Sequence, residues 1–360
     1  MAARAGGNRL HASDGALSAR RAAAELLTAV MDRGLSLDDA LHATPSFLAL
    51  EGRDRAFARA LVASGLRRLG SVSAVLSRFL ERPLPESAVL ARALLHLGAA
   101  QLLVLGTPAH AAVGETVETA NSMREARGFA KLMNAVLRRV AREGAEILAA
   151  LPAGADLPPW LFARWRAAYG ERAEAIASAL LHEPPLDLSV KHDAAGWAKK
   201  LNGFVTATGS VRIAPGARIE SLPGFAEGAW WVQDAAAALP ARLLGDVAGK
   251  RVLDLCAAPG GKTLQLAAAG ALVTALDKSE PRLERLRENL ARTRLRAEIV
   301  CTDALEFRAV EAFDAILLDA PCTSTGTLRR HPDVAWLRRP NDVRTLAELQ
   351  TKLLDACAHL

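Results

Sequence analysis

The residues best suited to chemistry lie in the last third of the chain. Asp319-Ala320-Pro321-Cys322 sets a thiol three positions after a carboxylate, beside a proline, at the end of the apolar run DAILLD. A thiolate is a strong nucleophile and a carboxylate can hold the polar edge of a heterocycle, so the pair suits covalent attack on a ring. Upstream, Asp254 and CAAPGGKT (256–263) form a glycine-bearing turn. Backbone N–H groups in such a turn can approach a ligand where a strand runs into a helix. Asp277 and Asp303 close two further apolar runs, so four successive runs end in an acid.

Two readings of that turn compete. A P-loop requires G-x-x-x-x-G-K-[ST], and Gly261-Lys262-Thr263 supplies its end, with ILLD (316–319) passing for a Walker B strand. The first glycine should stand at residue 256, which is a cysteine. The other reading is an S-adenosylmethionine (SAM) site. Asp277 then bonds ribose hydroxyls, Asp303 stands beside the adenine and Asp319 lies over the reacting centre. An NTPase does not require four strands ending in acids, which favours SAM.

SAM chemistry gives Cys322 a purpose. Carbon 5 of cytosine is a poor nucleophile, and addition of a thiolate at carbon 6 makes it electron-rich enough to attack a sulfonium methyl. Cys256, Cys301 and Cys357 read as inert thiols. The four cysteines lie far apart, with no C-x-x-C and no neighbouring histidine pair, which excludes a disulfide scaffold and predicts no metal site.

The elements that must position these groups follow from periodicity. Residues 1–20 read as a disordered terminus. Residues 21–150 carry apolar positions at helical spacing, broken at Pro83, Pro85 and Thr107-Pro108, and predict an all-α helical bundle. LPAGADLPPW (151–160) reads as a linker, and 156–235 as a small α+β module. From 236 to 360, unalternating apolar runs alternate with helices, the pattern of an α/β doubly wound, Rossmann-like sheet. With 360 residues and 51% hydrophobic positions the chain is globular and multidomain. No apolar run reaches the roughly 18 residues of a membrane span. The net charge of +6 is carried mostly by residues 1–150, with 19 basic against 14 acidic residues. This points to a polyanionic partner for the helical half. Reduced cysteines predict a cytoplasmic protein.

DLCAAPGGKT, the terminal Asp277 and Asp303, and DAPCTSTGTLRRHPDVAW (319–336) resemble the RNA 5-methylcytosine methyltransferases of the Nop2/Sun (Fmu) type. RALLHLGAAQLLVLGTPAHAAVGETVETA (92–120) and KLMNAVLRR (131–139) resemble NusB, an RNA-binding helical bundle. The resemblance implies that Cys256, Ala257, Ala258, Pro259, Gly260, Gly261, Lys262, Asp277, Asp303 and Asp319 contact SAM, with Asp319 also facing the cytosine. It implies that Cys322 serves product release and that the nucleophile lies in a Thr-Cys-Ser motif ending a fifth strand. No Thr-Cys-Ser occurs in the 360 residues, so the main nucleophile is expected beyond Leu360. A chain truncated before its last strands, with an exposed sheet edge and low solubility or activity, is therefore expected. The implied substrate is small-subunit ribosomal RNA, bound by a monomer. A cytosine within a stem must be extruded to react, and Arg329, Arg330 and His331 are placed to hold its backbone. The rival readings are an inactive RNA-binding module and the P-loop NTPase.

Overall fold

The computed structural model describes residues 7–360, with side chains from Ser18 onward. The helices run in chain order α1 (Gly7–Met31), α2 (Leu37–Ala43), α3 (Pro45–Leu48), α4 (Gly52–Arg67), α5 (Leu69–Ser77), α6 (Val89–Leu103), α7 (Ala109–Ser122), α8 (Ala130–Ala149), α9 (Pro159–Tyr169) and α10 (Arg172–Ala179). There follow β1 (Leu186–Val190), α11 (Ala194–Lys200), β2 (Phe204–Val205), β3 (Val211–Ile213), β4 (Trp230–Val232) and α12 (Leu239–Arg242). The chain closes with β5 (Arg251–Leu255), α13 (Gly261–Ala268), β6 (Leu272–Asp277), α14 (Glu280–Thr293), β7 (Glu298–Cys301), β8 (Ala315–Leu318), α15 (Val334–Leu337) and α16 (Pro340–Cys357). The disordered terminus expected for residues 1–20 falls partly outside the described residues, and from Gly7 the backbone is helical.

The chain divides into two compact units, one of residues 1–182 and 324–340, the other of residues 183–323 and 341–360. The first unit is all helical. In α8, Met133, Val136, Leu137 and Val140 recur at i, i+3, i+4 and i+7 and are buried, while Lys131, Arg138, Arg139 and Arg142 stay exposed. This stripe packs with Leu94 and Leu97 of α6, Leu61 of α4 and Leu26 of α1 in one core. The prolines stop helices where expected, with Pro83 and Pro85 between α5 and α6 and Pro108 preceding α7.

The expected linker at 151–160 is not a domain boundary. The apolar faces of α9 and α10 need cover, and Leu161 and Ala177 find it with Leu157 and with Leu328 and Ala335 of the returning segment 324–340. That segment is anchored by polar contacts too. The buried Asp333 carboxylate accepts the Leu37 N–H at 3.0 Å, and the Trp336 indole donates to the Leu66 carbonyl at 3.1 Å.

The second unit holds two four-stranded sheets. The smaller is antiparallel in the order β2-β3-β1-β4, with α11 over the face that carries Leu188, Val211 and Trp230. On its other face Asp187, fully buried, accepts the Arg212 guanidinium at 2.6 and 2.9 Å. The larger sheet is parallel in the order β7-β6-β5-β8, the arrangement of a doubly wound, Rossmann-like half. Leu253, Leu255 and Leu276 are buried within it, as unalternating apolar strands covered on both faces must be.

β8 lies at one edge of this sheet, and its apolar face is covered. Ile316 and Leu318 pack in the cluster that includes Leu349 and Leu353 of α16, and Leu360 folds back onto the same cluster, half-buried. Leu360 is thus part of the sheet's cover, placed there because the apolar side chains at the end of α16 and just after it have a hydrophobic surface to bury against.

Candidate active site

The parallel register sets the carboxyl ends of β5, β6, β7 and β8 side by side, and the expected acids stand there. Asp254 is the penultimate residue of β5, Asp277 the last of β6, Asp303 two beyond β7 and Asp319 the first after β8. Between β5 and α13 the chain turns sharply. Cys256 has φ +60° and Gly260 φ +105°, and a Cβ at Gly260 would collide with Leu286. That position requires glycine.

Each acid has its own environment. Asp277 is almost fully buried. Its Oδ1 accepts the Ser279 N–H at 3.0 Å and its Oδ2 the Ala258 N–H at 3.2 Å, while Arg282 Nη1 lies 3.2 Å from Oδ2. Asp303 is half-buried and accepts the Leu305 N–H at 3.0 Å. Asp319 is exposed and receives Lys262 Nζ at 2.6 Å, with the lysine itself largely buried. Asp254 is fully buried and accepts the Thr263 hydroxyl at 2.6 Å, while its Oδ1 has no hydrogen-bond partner among the described residues. Burial pushes its carboxyl up to about 7.

The thiols divide in the same way. Burial first, and the Asp277 charge second, push the Cys256 thiol up to about 11, so at neutral pH it is a poor nucleophile. Burial also raises Cys357. Cys322 is exposed, and Gln350 Nε2 steadies its loop by donating to the Pro321 carbonyl at 2.8 Å.

Acids at the ends of adjacent parallel strands around a glycine turn match a SAM pocket in kind: polar acceptors for ribose and adenine, and close backbone approach at Gly260 and Gly261. Among the described residues no group of three or more His, Cys, Asp or Glu side chains could hold a metal ion.

Comparison with known proteins decides the family. The chain is 38% identical over 359 residues to ribosomal RNA small subunit methyltransferase B of Vibrio vulnificus (strain YJ016), covering 94% of this chain and 84% of the relative. It is 40% identical over 361 residues to the protein of the same name from Xanthomonas campestris pv. campestris, covering 95% and 81%. The chain belongs to the ribosomal RNA small subunit methyltransferase B family. Residues 241–360 match the family described as 16S rRNA methyltransferase RsmB/F, and residues 17–142 match the NusB family. The fold is shared with the crystal structure of PH0851, at TM-score 0.73 and 20% identity over 96% of this chain and 83% of that one.

Within this family the P-loop reading falls. Lys262 is turned onto Asp319, and Cys256 occupies the place of the first P-loop glycine. The structure gathers Cys256 through Lys262, Asp277, Asp303, Asp319 and Cys322 in the second unit. Leu360 lies in the same unit and is an apolar packing residue. Arg329, Arg330 and His331 belong instead to the helical unit. There the Arg329 carbonyl accepts from Arg67 at 2.7 Å, and His331 Nδ1 lies 3.8 Å from Asp38. These three residues are thus half-buried, in a segment whose backbone is held.

Sequence reasoning missed three groups behind the site. Arg282 reaches both Asp277 and the Ala258 carbonyl. Trp231 donates to the Gly261 carbonyl at 3.2 Å, and Gln233 links Trp231, Ser189 and Gln265. The only signal for Arg282 was a basic residue in the first turn of the helix that follows Asp277.

Proposed function

We propose that this chain transfers a methyl group from SAM to carbon 5 of a cytosine in small-subunit ribosomal RNA, through a covalent cysteine adduct. The observation that carries the reading is the row of four strand-end carboxylates beside the exposed Cys322 loop. When bound, SAM supplies an electrophilic methyl on its sulfonium.

The chain's own residues divide the remaining work. The turn from Cys256 to Lys262 shapes the pocket floor, Asp277 and Asp303 accept hydrogen bonds from ribose and adenine, and Asp319 holds the cytosine edge. Lys262 Nζ, fixed on Asp319 at 2.6 Å, sets the orientation of that carboxylate and supplies a cation beside it. Cys322 acts on the covalent adduct at product release, and the attacking thiol of the family stands in a Thr-Cys-Ser motif, which these 360 residues do not contain. In the helical unit, the exposed Lys131, Arg138, Arg139 and Arg142 of α8 present the phosphate-binding face, and Arg329, Arg330 and His331 add backbone contacts. The choice of substrate rests on the family and the site together.

The test is transfer of labelled methyl from SAM to protein-free small-subunit RNA, with the product nucleoside identified by mass spectrometry. The 360-residue chain, a longer chain carrying a Thr-Cys-Ser motif after Leu360, and the Cys322→Ala variant of each are compared. Labelled 5-methylcytosine from the longer chain supports the reading, and a stable protein–RNA adduct in its Cys322→Ala form supports the release role. Loss of all adduct in that variant makes Cys322 the attacking thiol. Label at another atom or base refutes the assignment.

A further inference from the structure

We infer that Arg282 is a positioning residue for the cofactor ribose, an inference that rests on the SAM reading above. Arg282 lies in the first turn of α14, and its guanidinium spans the ends of two neighbouring strands. Nη1 lies 3.2 Å from Asp277 Oδ2, at the end of β6, and Nη2 donates to the Ala258 carbonyl in the turn after β5. One planar fork therefore ties the acid that receives the ribose to the turn that forms the pocket floor.

The Asp277 carboxylate can accept about four hydrogen bonds. Protein donors take three of those positions: Ser279 N–H on Oδ1, and Ala258 N–H and Arg282 on Oδ2. With its plane fixed on both oxygens, the carboxylate turns its remaining capacity, on Oδ1, toward a hydroxyl donor. Without Arg282 the Ala258 N–H still reaches Oδ2, but that oxygen loses its second donor and the Ala258 carbonyl loses the guanidinium, so the carboxylate plane is held by the two backbone donors alone. Preorganised acceptors bind more tightly because no ordering remains to be done when the ligand arrives.

An exposed ion pair of ordinary kind contributes little. Arg282 differs because its partner is 2% exposed at the side chain while the arginine is 50% exposed, so a rim residue orients a buried group. Lysine could match the charge but not the fork, since it has no second coplanar N–H for the Ala258 carbonyl.

The experiment is calorimetric titration of the full chain, its Arg282→Ala variant and its Arg282→Lys variant. The ligands are SAM, 5′-methylthioadenosine and 3′-deoxy-5′-methylthioadenosine. Arg282→Ala is expected to weaken SAM and 5′-methylthioadenosine alike by about tenfold, with Arg282→Lys close to Ala. Removing the 3′-hydroxyl is expected to weaken binding to the unsubstituted chain by at least fivefold and to Arg282→Ala by less than twofold. A global loss of fold would weaken every ligand by the same factor and leave the hydroxyl ratio unchanged. Unchanged SAM affinity in Arg282→Ala, or the same hydroxyl ratio in both proteins, overturns the inference. Failure of the unsubstituted chain to bind SAM at all refutes the cofactor reading instead.

Discussion

Asp254 makes the second unit less stable at neutral pH than its packing alone would allow, and Asp254→Asn should reveal by how much. The carboxyl is fully buried, with the Thr263 hydroxyl on Oδ2 and, among the described residues, no partner on Oδ1. Burial is the largest influence and raises its pKa from 3.8 to about 7, against the opposing pull of Thr263 and Lys262. Between those values the folded chain keeps a proton that the unfolded chain has lost, so stability falls as pH rises through the window and stays low above it. The full difference of about 3 pH units corresponds to about 4 kcal/mol, of which about 2.5 kcal/mol is lost between pH 5 and pH 8. Asparagine keeps an acceptor for Thr263 and carries no charge. Its pH-independent costs, such as an unpaired amide N–H, cancel when one protein is compared with itself at two pH values. Urea unfolding of both proteins at pH 5 and pH 8 is the assay. Relative to the unsubstituted chain, Asp254→Asn should gain about 2.5 kcal/mol on going from pH 5 to pH 8. The same pH dependence in both proteins would refute the reasoning.

Other consequences are open to direct measurement. His96 is buried in the helical unit with Nε2 donating to the Gly65 carbonyl at 3.0 Å, and burial lowers its pKa to about 4 from 6.5. The folded chain then binds fewer protons than the unfolded one between these values. Stability should fall by about 3 kcal/mol as pH drops from 6.5 to 4, and His96→Gln should flatten that slope in acid unfolding. Gly98 lets α6 approach its neighbours, since a Cβ there would meet Leu137 Cδ1 at 2.8 Å and Thr116 Cγ2 at 3.1 Å. Gly98→Val should cost about 1–3 kcal/mol in urea unfolding, with SAM affinity unchanged. Asp303→Ala removes a charged acceptor from the strand end and should weaken SAM binding about tenfold to a hundredfold by calorimetry.

Much of the architecture was legible because it depends on local pattern. The i, i+3, i+4 recurrence of Met133, Val136 and Leu137 announced a packed helix, and RVLDL, LVTALD and AILL announced parallel strands through their lack of alternation. The division of the chain was less legible. LPAGADLPPW contains the residues that end helices, but those residues cannot say whether the next helix packs back on the same core. Leu161 and Ala177 do so because Leu328 and Ala335, more than 140 positions away, complete their cover. Contacts of that separation leave no periodic trace. The cover that Leu353 and Leu360 give to the β8 edge escaped the sequence for the same reason, since nothing local to α16 says which strand it will lie against.

The site shows the same division between local and distant information. Asp277, Asp303 and Asp319 were legible as strand-end acids because each follows an apolar run, and strand ends in a doubly wound sheet converge whatever the intervening helices contain. Arg329, Arg330 and His331 were assigned from charge, which describes what a side chain could bind and not where the backbone is held. Asp333 decides that question. Its carboxylate accepts from the first N–H of α2, a helix with Asp38 and Asp39 in its own first turn. Three carboxylates near one helix start suit the partial positive charge of that end. The anchor is therefore a helix-capping contact made by a residue almost 300 positions distant in sequence. What reads as RRHPD, a basic run ending in an ordinary acid, is anchored by that acid together with the Arg67 contact on the Arg329 carbonyl.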